Sequence, residues 1–317
     1  MKNIPDYISE IKRMKEEKNA IILAHYYQTG DIQDIADFVG DSLGLSQKAA
    51  SNNADIILFA GVRFMAETAK ILAPGKKVLL PDMNAGCSLA DSCKGKDFKK
   101  FIKDNPGRTI VSYVNTTAEI KALSDIICTS SNAVSIVNSL PPEEKIIFAP
   151  DRNLGNYVLN KTGRDMIIWN GTCHVHEEFS LEAILKLKDQ NPEAKIIVHP
   201  ECELPVRMVA DYIGSTAALL KFTKEDKGNC YIVATEPGII HQMKKKSPEK
   251  VYIPAPPRDS TCGCSECNFM KLITIEKIYN CLKSEKPEIK MSKKLIIAAQ
   301  KPIRRMLDIS AKMVTEK

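Results

Sequence analysis

Three cysteines, Cys262, Cys264 and Cys267, fall within six positions of the run DSTCGCSECNF at 259–269. Thiols at that density point to a metal centre, yet a tetrahedral zinc site normally takes four ligands as two spaced pairs. No second Cys pair and no spaced His pair lies within twenty residues on either side. The partners must come from elsewhere in the chain. Cys87 in NAGCSLADSC and Cys173 in NGTCHVH each follow a β-branched run. One cysteine from each of three distant loops would give three thiolates and no fourth protein ligand. That set suits a [4Fe–4S] cluster with one iron free to act as a Lewis acid in dehydration or enolisation. On spacing alone two rivals stay open: a Cys₃ zinc site with an open position, and a four-thiolate electron-transfer cluster taking two cysteines from the 262–267 run.

The elements that must bring these loops together are three copies of one unit. Nine strand-like runs form three sets of three: NAIILAHYY, DIILFAG and KVLLPD; RTIVSYVN, KIIFAPD and DMIIWNG; KIIVHPE, CYIVATE and KVYIPAP. Helical patterns separate them, which predicts parallel α/β architecture. Seventeen residues separate His25 from Ser42, Tyr113 from Ser130 and His199 from Thr216. Such equal spacing between similar positions marks an internal repeat. Each set closes in one of the cysteine-bearing loops. The expected architecture is three similar parallel-sheet α/β domains around a pseudo-threefold axis. The expected divisions are 1–105 with an N-terminal helix, 106–192, and 193–317 with a C-terminal helix. Ligands gather at the carboxyl ends of parallel strands, so the three cysteine loops would share a centre.

Around that centre the repeats put His25, Tyr27, Tyr113, Asn115, His199 and Glu201 at strand ends. Ser42, Ser130 and Thr216 would open the following helices. A hydroxyl there commonly serves only as an N-cap, but three in register beside a cleft suit carboxylate or phosphate binding. Glu201, two residues beyond His199, is placed for proton transfer.

Composition narrows the class. The 317 residues are 44% hydrophobic and 26% charged, with ten cysteines and a formal charge of +6. No apolar run is long enough for a membrane span. The start instead patterns as an amphipathic helix through Ile8, Ile11 and Met14. A cytoplasmic protein is expected, where structural disulfides are rare. Cys128, Cys230 and Cys281 read as buried apolar residues. The basic residues are spread along the chain without a nucleic-acid-binding signature, and a modest positive field suits small anionic substrates. No dinucleotide fingerprint or Walker loop occurs, so neither nicotinamide nor ATP is expected as cofactor.

Taken together, ILAHYYQ, DIADFVGDSL, FAGVRFMAETAKIL, AGCSLADSC, YVNTTAE, TSSNA, PDRNLG, HPEC, ADYIGST and CNFMKLITIEKIY resemble the quinolinate synthase family, nearly end to end. The resemblance implies condensation of iminoaspartate (iminosuccinate) with dihydroxyacetone phosphate to quinolinate, in NAD biosynthesis, on one [4Fe–4S] cluster. It implies Cys87, Cys173 and Cys267 as ligands, with Cys267 fixed through CNFMKLIT and Cys262 and Cys264 left out. A Cys264–Cys267 disulfide is a conceivable redox switch. Substrate contacts would come from His25, Ser42, Tyr113, Val114, Asn115, Ser130, His199, Pro200, Glu201 and Thr216. Tyr27, Glu201, Tyr113 and His199 would be catalytic, with His176 a further candidate. An aspartate-oxidising enzyme would hand over the imine; no nucleic-acid or membrane partner is implied. The competing readings are another iron–sulfur hydro-lyase and a zinc-stabilised binding module built on CGCSEC.

Overall fold

The computed structural model describes residues 4–259 and 265–315. Three four-stranded sheets follow one another along the chain. The first holds β1 (Ala20–His25), β2 (Phe38–Gly40), β3 (Ile56–Ala60) and β4 (Lys77–Leu79). The second holds β5 (Thr109–Tyr113), β6 (Ile126–Cys128), β7 (Ile146–Ala149) and β8 (Met166–Ile168). The third holds β9 (Lys195–Val198), β10 (Tyr212–Ile213), β11 (Cys230–Ala234) and β12 (Val251–Pro254). Every pairing is parallel, and the orders are β2-β1-β3-β4, β6-β5-β7-β8 and β10-β9-β11-β12. The connectivity of the three units is identical. In each, the chain leaves the first strand to one side and returns on the other, which opens a crevice at the carboxyl ends where parallel sheets bind ligands.

One side-chain bond repeats with the fold. Asp37, Asp125 and Asp211 accept from the backbone N–H of Ile22, Ile110 and Ile196 at 2.7, 2.8 and 2.7 Å, each fifteen residues apart. Each carboxylate ties the start of a second strand to the middle of the first, and so fixes the pairing register. Leu23 faces Phe38, Val111 faces Ile126 and Ile197 faces Tyr212. The three-residue or shorter strands β2, β6 and β10 lie inside the apolar stretches ADFVGDS, SDIICTS and ADYIGST. Each sheet therefore has four strands where the sequence shows three runs.

The β-branched strands are covered on both faces, as parallel sheets require. On the third sheet the alternation is clean. Ile196, Val198, Ile232 and Ala234 pack on one side with Phe179 and Ile184, while Ile197, Tyr231 and Val233 pack on the other with Leu219 and Met243. The first two sheets share one continuous core. The segment beyond Cys267 returns to them. Helix Ile275–Ser284 packs on the N-terminal helix Ile4–Glu17, where Ile11 and Met14 are buried, and helix Lys293–Thr315 lies along Ala118–Ala122 and β6. Among the described residues no helix is long and apolar enough to cross a membrane. Cys128 and Cys281 are core residues. Cys230 is only half-buried, because it opens β11 at the amino edge of its sheet.

Candidate functional site

Cys87, Cys173 and Cys267 each stand directly before a four-residue helix: Ser88–Asp91, His174–Glu177 and Asn268–Lys271. The backbone of all three is extended, so the side chain turns back over the amide N–H groups of the helix it precedes. All three line one cavity, together with the strand ends of all three sheets. Burial pushes Cys87 up to about 12 and Cys267 to about 11, and raises Cys173 well above the ordinary thiol range. The helix amides pull against this, from Ala90, His176 and Met270 respectively. The bare site therefore holds neutral thiols, and a metal entering it would displace their protons. Three soft donors converge, one from each unit, which fits a thiophilic metal centre. Cys173, His176 and Glu201 also offer ligand atoms within 4.8 Å of one another. Cys262 and Cys264 lie outside the described residues, and with them any Cys264–Cys267 pairing.

His25 and His199 occupy equivalent places at the ends of β1 and β9, and their rings are wired alike. Nδ1 of His25 accepts from the Tyr27 N–H at 3.2 Å, and Nδ1 of His199 accepts from the Glu201 N–H at 3.3 Å. Because Nδ1 is the acceptor in both, the neutral ring carries its proton on Nε2. Burial holds each imidazole down at about 3, so both are uncharged at neutral pH. The Nε2–H of His199 points to Ser130 Oγ at 3.3 Å.

Tyr113 stands where the other repeats have histidine, and its hydroxyl donates to Glu201 Oε1 at 2.5 Å. Burial pushes the Glu201 carboxyl up. The facing His176, with Nδ1 3.2 Å from Oε2, and the Tyr113 hydroxyl outweigh that and hold it below the usual carboxylate range. Burial and then the Glu201 charge raise Tyr27 and Tyr113 well above a normal phenol. Both therefore remain donors.

Ser42 and Thr216 are the first residues of helices Ser42–Ala50 and Thr216–Glu225, but neither is the cap. Asp41 accepts from Gly44 N–H at 2.9 Å and Ser215 from Ala218 N–H at 3.3 Å. The hydroxyls of Ser42 and Thr216 are thus released from capping and line the cavity with Ser130. Asn115 lines it too, and its buried Oδ1 has no protein partner among the described residues. Val114 and Pro200 are buried without reaching the cavity wall.

Several participants are illegible in the sequence pattern. Thr235, buried just past β11, meets the Tyr27 hydroxyl at 2.7 Å and His176 Nε2 at 2.9 Å. His176 Nδ1 in turn lies 3.3 Å from Cys173 Sγ. A continuous polar path thus runs from a cysteine to Tyr27. Ser131 donates to Asp41 at 2.5 Å and accepts from the Ser215 hydroxyl at 2.8 Å, joining the three helix-start loops. Ser131 sits one residue from Ser130, and Thr235 falls at the end of the strand-like run CYIVATE; only the repeat alignment could have flagged them.

The sequence model of the family described as quinolinate synthetase A protein matches residues 9–308. Among curated relatives, quinolinate synthase of Microcystis aeruginosa is 60% identical over 305 residues, covering 96% of this chain and 95% of that protein. Quinolinate synthases of Thermosynechococcus vestitus and a Synechocystis species are 58% and 59% identical, each alignment covering 96% of both chains. Identity at that level spans all three sheets and every cysteine loop that meets at the cavity, and on it this chain belongs to the quinolinate synthetase A protein family.

Proposed function

We propose that this chain condenses iminoaspartate with dihydroxyacetone phosphate to quinolinate, phosphate and two waters, the ring-forming step of NAD biosynthesis. The observation that carries this reading is the meeting of one cysteine from each unit with uncharged histidines, phenols and the hydroxyls of Ser42, Ser130 and Thr216 in a single cavity. The atoms balance without an oxidant or reductant, so the site needs proton transfer, anion binding and dehydration only. Cys87, Cys173 and Cys267 would hold a [4Fe–4S] cluster. With three protein thiolates, the cluster supplies one open Lewis-acidic iron.

The chain's own residues divide the remaining work. Ser42, Ser130 and Thr216 offer hydroxyl donors to the carboxylates and phosphate, and Asn115 leaves an acceptor for a substrate N–H or hydroxyl. His25 and His199, locked as Nε2–H tautomers, donate to substrate oxygen without adding charge. Glu201, ionised and fed by the Tyr113 hydroxyl, accepts a proton released on enolisation or imine rearrangement. Tyr27, tied to Thr216 at 3.0 Å and to Thr235, returns protons to leaving oxygen.

The test is anaerobic purification with iron and sulfide analysis, coupled to assays of quinolinate and phosphate. About four irons and four sulfides per chain, activity lost in air and equal yields of quinolinate and phosphate are expected. Dehydration without phosphate release would favour another hydro-lyase. Zinc without sulfide would overturn the cluster. Cys267→Ser should abolish the cluster, whereas the double change Cys262→Ser plus Cys264→Ser should keep it.

A further inference from the structure

The three cysteine loops are not held in the same way. In the first unit the Arg63 N–H donates to Ala85 O at 2.7 Å, two residues before Cys87. In the second, the Arg152 N–H donates to Gly171 O at 2.7 Å, two residues before Cys173. The strand registers make Ala60, Ala149 and Ala234 equivalent, so Arg63 and Arg152 correspond to Pro237 in the third unit. Proline has no N–H. The backbone tie that anchors the first two loops therefore cannot form at the third.

A buried ion pair occupies the gap. Glu236, one residue before Pro237, is fully buried, and its Oε1 accepts from Lys271 Nζ at 2.8 Å and from the Cys267 N–H at 3.4 Å. Its Oε2 accepts from the Gly238 N–H at 2.7 Å. Lys271 closes the short helix that Cys267 opens, and its Nζ also donates to the Tyr27 carbonyl at 2.9 Å. Gln28, fully buried beside Tyr27, adds a bond from Nε2 to Met270 O at 3.1 Å.

We infer that Glu236 and Lys271 are positioning residues: their ion pair replaces the missing backbone tie, and sets Cys267 in register with Tyr27. Neither residue touches the reacting atoms. The other two loops need no such pair, because backbone bonds already hold them. The consequence for catalysis rests on the proposed role of Cys267 as a ligand, but the clamp itself does not.

Site-resolved alkylation of the metal-free protein tests it, with iodoacetamide as probe and mass spectrometry to follow Cys87, Cys173 and Cys267 separately. In Glu236→Gln and in Lys271→Met, Cys267 should react about tenfold faster or more, as for loss of a charged hydrogen bond, while Cys87 and Cys173 stay near wild type. The two variants separate geometry from charge. Removing the lysine's positive charge disfavours the thiolate and by itself would slow alkylation, so acceleration in Lys271→Met reports release of the loop. Equal acceleration at all three thiols would overturn the clamp in favour of general core stability. Slower or unchanged Cys267 reactivity in Lys271→Met would also overturn it. In anaerobically loaded protein the same variants should yield iron to a chelator about tenfold faster. A wild type that takes up no iron would sink the cluster reading and leave the alkylation result standing.

Discussion

The Tyr113 hydroxyl crosses from the end of β5 to Glu201 beyond β9 and meets its carboxylate at 2.5 Å. The bond exists because the second repeat carries tyrosine where the first and third carry histidine. Histidine there folds back on its own loop, whereas the longer phenol reaches the neighbouring unit. It gives Glu201 a neutral donor and leaves the carboxylate charged inside a buried cavity. Glu201→Gln keeps the shape but cannot exchange a proton. Quinolinate formation should fall at least about a hundredfold, with iron content unchanged. Near-normal turnover would remove Glu201 from the chemistry. Tyr113→Phe should cost less, since the base stays present and loses only one donor.

Gly171 shows how tightly the second cysteine loop is seated. A Cβ there would lie 2.3 Å from Ser92 Oγ and 2.6 Å from the Pro150 carbonyl. The backbone cannot yield without moving Cys173, two residues on. Gly171→Ala should cost about 1–3 kcal/mol by overpacking and lower metal loading as well. Gly75, with nothing within 4 Å of an added Cβ, is the control and should be nearly neutral. Urea midpoints and iron content of the two variants decide it.

Much of this was legible because the repeat states its own register. His25, Tyr113 and His199 stand at equal distances from Ser42, Ser130 and Thr216, and parallel strands present their ends at one face. What stayed hidden is contact that no period encodes. The strand β10 is two residues long and leaves no alternation to read. Thr235 and Glu236 look like the ordinary end of a strand until Tyr27 and Cys267 arrive from other parts of the chain. The weight of Pro237 is visible only beside Arg63 and Arg152, whose N–H bonds it lacks.

Lys121 is a fully buried ammonium whose Nζ donates to the Val114 carbonyl at 2.8 Å and to the Thr116 carbonyl. These bonds bracket Asn115 and fix the loop that carries it to the cavity. Burial lowers Lys121 to about 7, with Glu67 opposing the shift. The unfolded chain keeps its lysine protonated to about 10.4. Between these values the unfolded state holds more protons, so wild-type stability should gain relative to Lys121→Met as pH rises from 7 towards 10. At pH 7 the variant should still be the less stable, by about 1–3 kcal/mol for carbonyls left unpaired. Chemical denaturation across that range checks both signs; a difference that shrinks as pH rises would contradict the argument.

Glu285 provides a second pH dependence, in the acid range and far from the cavity. It ends helix Ile275–Ser284 in the left-handed region at φ 55°, a conformation better suited to glycine, and reaches Lys18 at 2.6 Å and Lys77. Those two ammonium groups tie the C-terminal segment to the N-terminal helix and to β4. Their hydrogen bonds, Lys18 first, hold the carboxyl down at about 2, against an ordinary value of 4.5. The stabilisation is therefore complete above pH 4.5 and fades as pH falls towards 2. Because the side chain is partly exposed, salt should weaken it. The stability difference between wild type and Glu285→Gln should be flat near neutrality, narrow below pH 4.5 and shrink in high salt. Glu285→Gly separates the two local effects, since it relieves the left-handed backbone but loses both pairs. It should be more stable than Glu285→Gln by roughly 1 kcal/mol, the cost of a side chain in that conformation. A pH-independent difference would show that the lysine pairs contribute nothing.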